Sequence, residues 1–207
     1  MDWQKIYLSR AIRYTRILSL IPFVRFVGLN GSLARGCSSK KSDIDLLIVT
    51  HPGRIYTVRL FATIILALTP WRRRPNNVAG KICLNCFLSE NHLNICPECK
   101  SNEKKVALSN LALVPLFDLG NVYEKFQHEN VWMKNYLIEK KKKNFPIRSL
   151  KNKKFLQTIK EKICFTSLGD WFEHWQMNYQ TTRILRGKKQ VDEIYVSTDF
   201  IKLHPKK

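Results

Sequence analysis

The sequence predicts an α+β fold: a small mixed β-sheet core flanked by helices, followed by a mainly helical C-terminal region. Two observations predict it. Over the first hundred residues, short β-branched and aromatic runs alternate with segments of helical apolar spacing. Beyond residue 106 the apolar spacing is mostly helical. The size fits as well, since 207 residues that are 44% apolar and 25% charged suffice for a packed core.

The elements follow in order. Residues 3–20 interleave Ile6, Ile12, Ile17 and Leu20 with Arg10, Arg13 and Arg16, a helix that Pro22 ends. Phe23 to Leu29 reads as a strand. Gly31-Ser32 is a turn into a short helix, and a polar loop covers 37–42. Ile44 to Val49 is the second strand, with Asp43 and Asp45 at its start. After the loop at His51-Pro52-Gly53, residues 54–69 form a helix that is apolar on most of its surface, predicted to be buried. Its longest apolar run, Phe61 to Leu68, is far short of the roughly 18–20 residues that span a bilayer, so no membrane partner is expected. A basic connection (71–80) leads to a third strand, Ile82 to Leu88, and 89–103 is irregular. Two helices are predicted between Val106 and Leu137, separated near 115–121. Residues 139–154 are a lysine-rich linker. Residues 155–186 read as one long helix, on which Trp171, Phe172, Trp175 and Tyr179 form a core stripe in preference to a base-stacking surface. A short strand at 193–197 closes the chain. The predicted division is 1–105 for the core with its N-terminal helix, and 106–207 for the helical region.

The charge is unusual: 36 Lys and Arg face 16 Asp and Glu, a net +20. Such an excess favours polyanions, among them nucleic acid and nucleotides. A lysine-rich coding bias yields the same excess, so charge alone selects no partner. The N-terminus lacks an uninterrupted apolar stretch of the secretory kind, so a cytoplasmic, reducing location is expected. Free thiols or metal ligands are then favoured over disulfides.

The chemistry concentrates between Val27 and Thr50. Asp43 and Asp45 stand at i and i+2 of one strand, which puts both carboxylates on one face. Like charges held that close repel, and a cation relieves them. Hard divalent ions favour carboxylate oxygens, and Mg²⁺ commonly binds one or two carboxylates together with substrate phosphates. Gly31 allows close backbone approach to a phosphate, Ser32 offers a hydroxyl, and the helix that begins there presents backbone N–H groups. These pieces describe a site for a metal and a triphosphate.

The segment GSLARGCSSKKSDIDLLIV resembles the signature of the DNA polymerase beta-like nucleotidyltransferase superfamily: Gly-Ser, roughly ten residues, then Asp-hydrophobic-Asp on a strand. Its GSxARG form is similar to the minimal nucleotidyltransferases of bacteria and archaea. The segments AGKICLNCFL, VPLFDLGNVYEKFQHENVWMKNYL and VSTDFIKLHP are more loosely similar to uncharacterised bacterial nucleotidyltransferase-domain proteins. The resemblance implies that Asp43 and Asp45 bind Mg²⁺ or Mn²⁺ and are catalytic. It further implies that Gly31 and Ser32 contact the phosphates of a nucleoside triphosphate, with Arg35 and Ser42 beside them. The implied activity is transfer of a nucleoside monophosphate from a nucleoside triphosphate to an acceptor on a protein, a small molecule or RNA. The superfamily usually sets a third carboxylate on a later strand. The expected strand, 81–88, holds no acid: Asn85 is the nearest polar substitute, and Glu90 lies just past the strand. A catalytically degenerate nucleotide- or nucleic-acid-binding module of the same fold is therefore the alternative.

Cys83, Cys86, Cys96 and Cys99 make a CxxC…CxxC pair whose spacing suits a structural Zn²⁺. Cys96-Pro-Glu-Cys99 is a good knuckle. Cys83 and Cys86 are a poor one, because positions i and i+3 of a regular strand face opposite ways. Two strand cysteines and two loop thiols without metal remain the other reading.

Overall fold

Asp2 starts the first helix, α1 (Trp3–Leu18), by accepting hydrogen bonds from the backbone N–H groups of Gln4 and Lys5. The computed structural model describes residues 2–74, 76–95, 103–136, 161, 166–187 and 193–204, with the side chains of 85, 193 and 204 outside the description. Tyr7, Ala11, Tyr14 and Leu18 recur at helical spacing on one side of α1 and are buried there. Then come β1 (Val24–Asn30), α2 (Gly31–Ala34), β2 (Ile44–Thr50), α3 (Ile55–Ala67) and β3 (Ile82–Ser89). After them follow α4 (Glu103–Leu111), β4 (Val114–Asp118), α5 (Val122–Glu129), a 3-10 segment (Val131–Tyr136), α6 (Ser167–Arg186), β5 (Glu193–Val196) and β6 (Phe200–His204).

The strands form one six-stranded mixed sheet in the order β4-β1-β2-β3-β6-β5. Only β2 and β3 pair in parallel; the other neighbours are antiparallel. A parallel pair needs a crossover, and α3 supplies it. Both faces of the sheet are covered, so β2 is a nearly unbroken apolar run. Leu46 and Ile48 face the cluster built with Tyr7, Tyr14 and Tyr56. Leu47 and Val49 face the cluster built with Val106, Val122 and Phe126. All four are fully buried, and each contributes about 1.5–3 kcal/mol of apolar transfer.

The mixed sheet with flanking helices agrees with the sequence. Four details differ. First, Val114–Asp118 is an edge strand paired with β1, not a break between helices. Pro115 is tolerated there because an edge strand can spare a backbone donor. Second, the C-terminal strand is a hairpin, with Phe200 and Ile201 of β6 buried against β3. Third, extended Thr166 accepts a hydrogen bond from the Gly169 N–H and caps a helix that starts at Ser167; the expected linker at 139–154 and most of 155–165 lie outside the described residues. Fourth, α3 is buried on one side only. Ile55, Tyr56, Val58, Ala62 and Leu66 point inward, while Phe61, Ile64 and Leu68 are exposed.

The aromatic row on α6 is also not a core stripe. Trp171, Trp175 and Tyr179 are 65%, 50% and 54% exposed and stack on one another, with centroids 6.4 and 6.2 Å apart. The polar side of α6 is buried instead. The Glu173 carboxylate accepts hydrogen bonds from the N–H groups of Tyr56 and Thr57, both at 2.8 Å. These are orphan donors of the first turn of α3, and burying them without an acceptor would be costly. Gln180 donates to the Tyr56 carbonyl at 2.9 Å, and Arg54 pairs with Asp170 at 2.5 Å.

Candidate metal and nucleotide site

The site lies at one end of the sheet, where β1 ends and the parallel strands β2 and β3 begin. Asp43 immediately precedes β2 and Asp45 is its second residue, so alternation sets them on one face. Across the ladder, Asp45 is in register with Cys83 of β3. One ligand atom from each of Asp43, Asp45 and Cys83 lies within 4.8 Å of the others. All three residues are half-buried. A divalent cation fits this cluster: two carboxylates from one strand face and a thiol converge on one small volume.

Gly31 closes the cluster from β1. Asn30 is the register partner of Asp45, so the chain turns beside that carboxylate. Gly31 has φ +71°, and a Cβ there would collide with Asp45 Oδ2. Both facts demand glycine. Asn30 fixes the turn. Its Oδ1 accepts the Gly31 N–H at 2.7 Å and the Ser109 hydroxyl at 2.7 Å, and its Nδ2 donates to Asn110 Oδ1 at 3.0 Å. Helix α4 thus clamps the Gly-Ser turn. Ser32 is half-buried in α2, which is a single turn. Its backbone N–H groups, more than any macrodipole, are what α2 can offer an anion.

Arg35 is exposed at the C-terminal end of α2. Ser42 works within the loops. Its Oγ accepts the Ser39 N–H at 2.9 Å, and its carbonyl accepts the Gly80 N–H at 2.7 Å. Helix α1 staples the same loops: Gln4 donates to the Gly36 carbonyl at 2.7 Å, Tyr7 to the Lys40 carbonyl at 2.7 Å, and Arg10 to the Gly80 carbonyl. Lys40 lies over the Trp3 ring, its Nζ 5.4 Å from the centroid.

The structure adds residues that the sequence did not single out. Arg73, in the basic connection before β3, pairs through Nε with Asp43 Oδ2 at 3.0 Å, and its charge opposes part of the rise that burial imposes on the Cys83 thiol. Asn30, Ser109 and Asn110 form the clamp. Asn30 carries a sequence signal, since Asn before a helix is a common cap. Arg73 carries none, because three consecutive arginines do not reveal which one turns inward.

Glu90 does not join the aspartates. It follows Ser89, the partner of Thr50 at the far end of β2, and it pairs with Lys125 at 2.8 Å and Arg25 at 3.7 Å. The Asn85 side chain lies outside the described residues. Its backbone sits where the ladder slips, since Leu46 pairs with Leu84 and Leu47 with Cys86. That slip corrects the expectation that Cys83 and Cys86 face opposite ways. An extra residue between them restores the same parity, so both share the face of Asp45 and Leu47. Cys83 meets the carboxylates, while Cys86 packs with the Leu47, Val49 and Leu88 cluster. Burial pushes the Cys83 thiol up to about 12, with Asp45 and Asp43 adding to the rise and Arg73 opposing it. Burial pushes Cys86 up to about 12 as well. Cys96 and Cys99 lie outside the described residues.

The family model of the nucleotidyltransferase domain matches residues 14–163, more than half of the chain, and so takes in the Gly-Ser turn, both aspartates and Cys83. No curated protein and no solved structure matches the chain.

Proposed function

The chain belongs to the nucleotidyltransferase domain family, and from that premise we propose that it transfers a nucleoside monophosphate from a nucleoside triphosphate to an acceptor. The observation that carries this reading is the convergence of Asp43, Asp45 and the Gly31 turn on one small volume. Asp43 and Asp45 are the metal-binding and catalytic residues. A divalent ion bound there, Mg²⁺ or a relative, would neutralise carboxylates and polyphosphate together. Gly31 admits the β- and γ-phosphates close to the backbone, and the Ser32 hydroxyl donates to them. Arg35 supplies charge at the rim. Ser42 holds the 37–42 loop in place through its bonds to Ser39 and Gly80. In the reaction the acceptor hydroxyl gives up its proton to solvent, its oxygen bonds to the α-phosphorus, the bond from that phosphorus to the departing oxygen breaks, and pyrophosphate leaves. Residues 1–105 supply the nucleotide apparatus, braced at the Gly-Ser turn by Ser109 and Asn110 of α4, and the remainder of 106–207 shapes the acceptor side. The acceptor is a protein side chain, a small molecule or RNA. None of the described helices is long and apolar enough to cross a membrane.

A second reading has an observation of its own. The third corner holds Cys83 where a carboxylate could take the acceptor's proton, and Arg73 leans on Asp43. A thiol pushed that high is not poised to act as a general base near neutral pH. The same fold would then bind nucleotide or nucleic acid without turnover.

The test is incubation of the full chain with α-labelled nucleoside triphosphates, with Mg²⁺ or Mn²⁺ and added RNA, followed by detection of label on protein or RNA. The expected result is metal-dependent labelling that drops by on the order of 10²–10³-fold or more in the Asp43→Asn/Asp45→Asn variant. Labelling that persists in that variant would put the active site elsewhere. Nucleotide binding without labelling would favour the second reading.

A further inference from the structure

The third corner of the cluster is a sulfur, and that changes which ion the cluster suits. Cys83 is the direct ladder neighbour of Asp45, and its Sγ lies within 4.8 Å of carboxylate oxygens from both aspartates. The register slip at Asn85 isolates it from its near neighbour in sequence: Cys86 reaches the same face but packs among apolar side chains. Arg73 is an independent sign that this corner attracts a cation. Its guanidinium sits against Asp43 at 3.0 Å, so one of the three donors already holds a positive group. One guanidinium brings a single positive charge to a pair of carboxylates, whereas a divalent ion brings two.

Resting on the reading that Asp43 and Asp45 hold the ion, we infer that Cys83 is its third protein ligand, making a two-carboxylate, one-thiolate site that selects a borderline ion of the zinc or cobalt class over magnesium. Magnesium prefers oxygen in octahedral geometry and holds its waters firmly. Zinc accepts thiolate and carboxylate together in four-coordinate sites, and a soft thiolate donor favours such ions over magnesium, which takes oxygen ligands. As the metal–sulfur bond forms, the thiol proton passes to solvent and Arg73 gives up its place beside Asp43. The two aspartates alone would still take magnesium, so Cys83 sets the order of preference among ions and not the ability to bind one. This site differs from a four-cysteine zinc site, because it uses Cys83 without Cys86, Cys96 or Cys99.

The test is a Co²⁺ titration of the metal-free, full-length Cys96→Ser/Cys99→Ser protein, followed by absorbance. A thiolate-to-cobalt charge-transfer band should grow in the near ultraviolet to one equivalent. It should be lost when Cys83→Ser is added, retained with Cys86→Ser, and erased by Zn²⁺ but not by excess Mg²⁺. Cys83→Ser should weaken Co²⁺ binding at least about tenfold and leave Mg²⁺ binding within a factor of about two. Cys83→Asp, which restores an oxygen donor, should reverse the preference toward Mg²⁺ and guards against a serine variant that merely misfolds. Cobalt bound through the aspartates with no charge-transfer band, or with one that survives Cys83→Ser, overturns the role of Cys83 and leaves the aspartate site standing. No metal bound at all, with Asp43→Asn/Asp45→Asn changing nothing, overturns both.

Discussion

Glu161 anchors the far end of β1 from the site. It accepts the Phe23 N–H at 2.9 Å and grips Arg25 through two hydrogen bonds, at 2.5 and 2.8 Å. Burial pushes its pKa up, but the Arg25 hydrogen bond, the Phe23 amide and the Arg25 charge together outweigh that and hold it below the ordinary glutamate value. A depressed folded value means stability that is present above the unfolded pKa of about 4.3 and is lost as pH falls through the folded value. Denaturant midpoints should therefore drop on acidification below about pH 4.5, and Glu161→Gln should be less stable at pH 7 yet lose less between pH 7 and pH 3. An equal loss in both proteins would show that the ion pair is not formed. At this scale the sequence was partly legible. Asp43, Asp45 and Gly31 stood out because their spacing alone places two charges on one face beside a turn. Arg73 did not, and Cys83 stood out only as part of a cysteine pair and not beside the aspartates, because both positions depend on which strand lies beside β2 and on a one-residue slip within β3.

Helices α3 and α6 are joined less by apolar contact than by a buried acceptor. Glu173 serves two donors at the start of α3, and Gln180 meets the Tyr56 carbonyl. Glu173→Gln replaces one acceptor oxygen with a donor facing an N–H, so it should cost about 1–3 kcal/mol in urea unfolding. Trp171→Ala and Tyr179→Ala, on the exposed side of the same helix, should change stability by about 0.5 kcal/mol or less. A reversed order would mean that the aromatic side is the one packed. This is where periodicity misled: a row of aromatic residues on a helix reads as core, yet here orphan N–H groups on α3 call the polar side inward. The strands at 24–30, 44–50 and 82–89 were legible from β-branched runs between turn signals. Val114–Asp118 was not, because Pro115 argues against a strand until the segment is known to lie on an edge. The hairpin at 193–204 was half legible, its second strand being short and interrupted by Lys202.

In the whole molecule, one sheet collects strands from both ends of the chain, and its site-bearing end is braced from two sides. Helix α1 pins the 36–42 and 71–80 loops, and α4 pins the Gly-Ser turn through Asn30. That bracing holds the two aspartates side by side on one strand face and leaves a cation and a polyphosphate as their natural complement. The net charge of +20 adds a long-range attraction for anionic ligands that salt should weaken. Equilibrium binding of a nucleoside triphosphate to the full chain, titrated with a divalent cation and again with chelator, measures that complementarity most directly. The account predicts binding that requires the cation and disappears in an Asp43→Asn/Asp45→Asn variant that still unfolds cooperatively. Equal affinity with chelator present, or in that double variant, would contradict it.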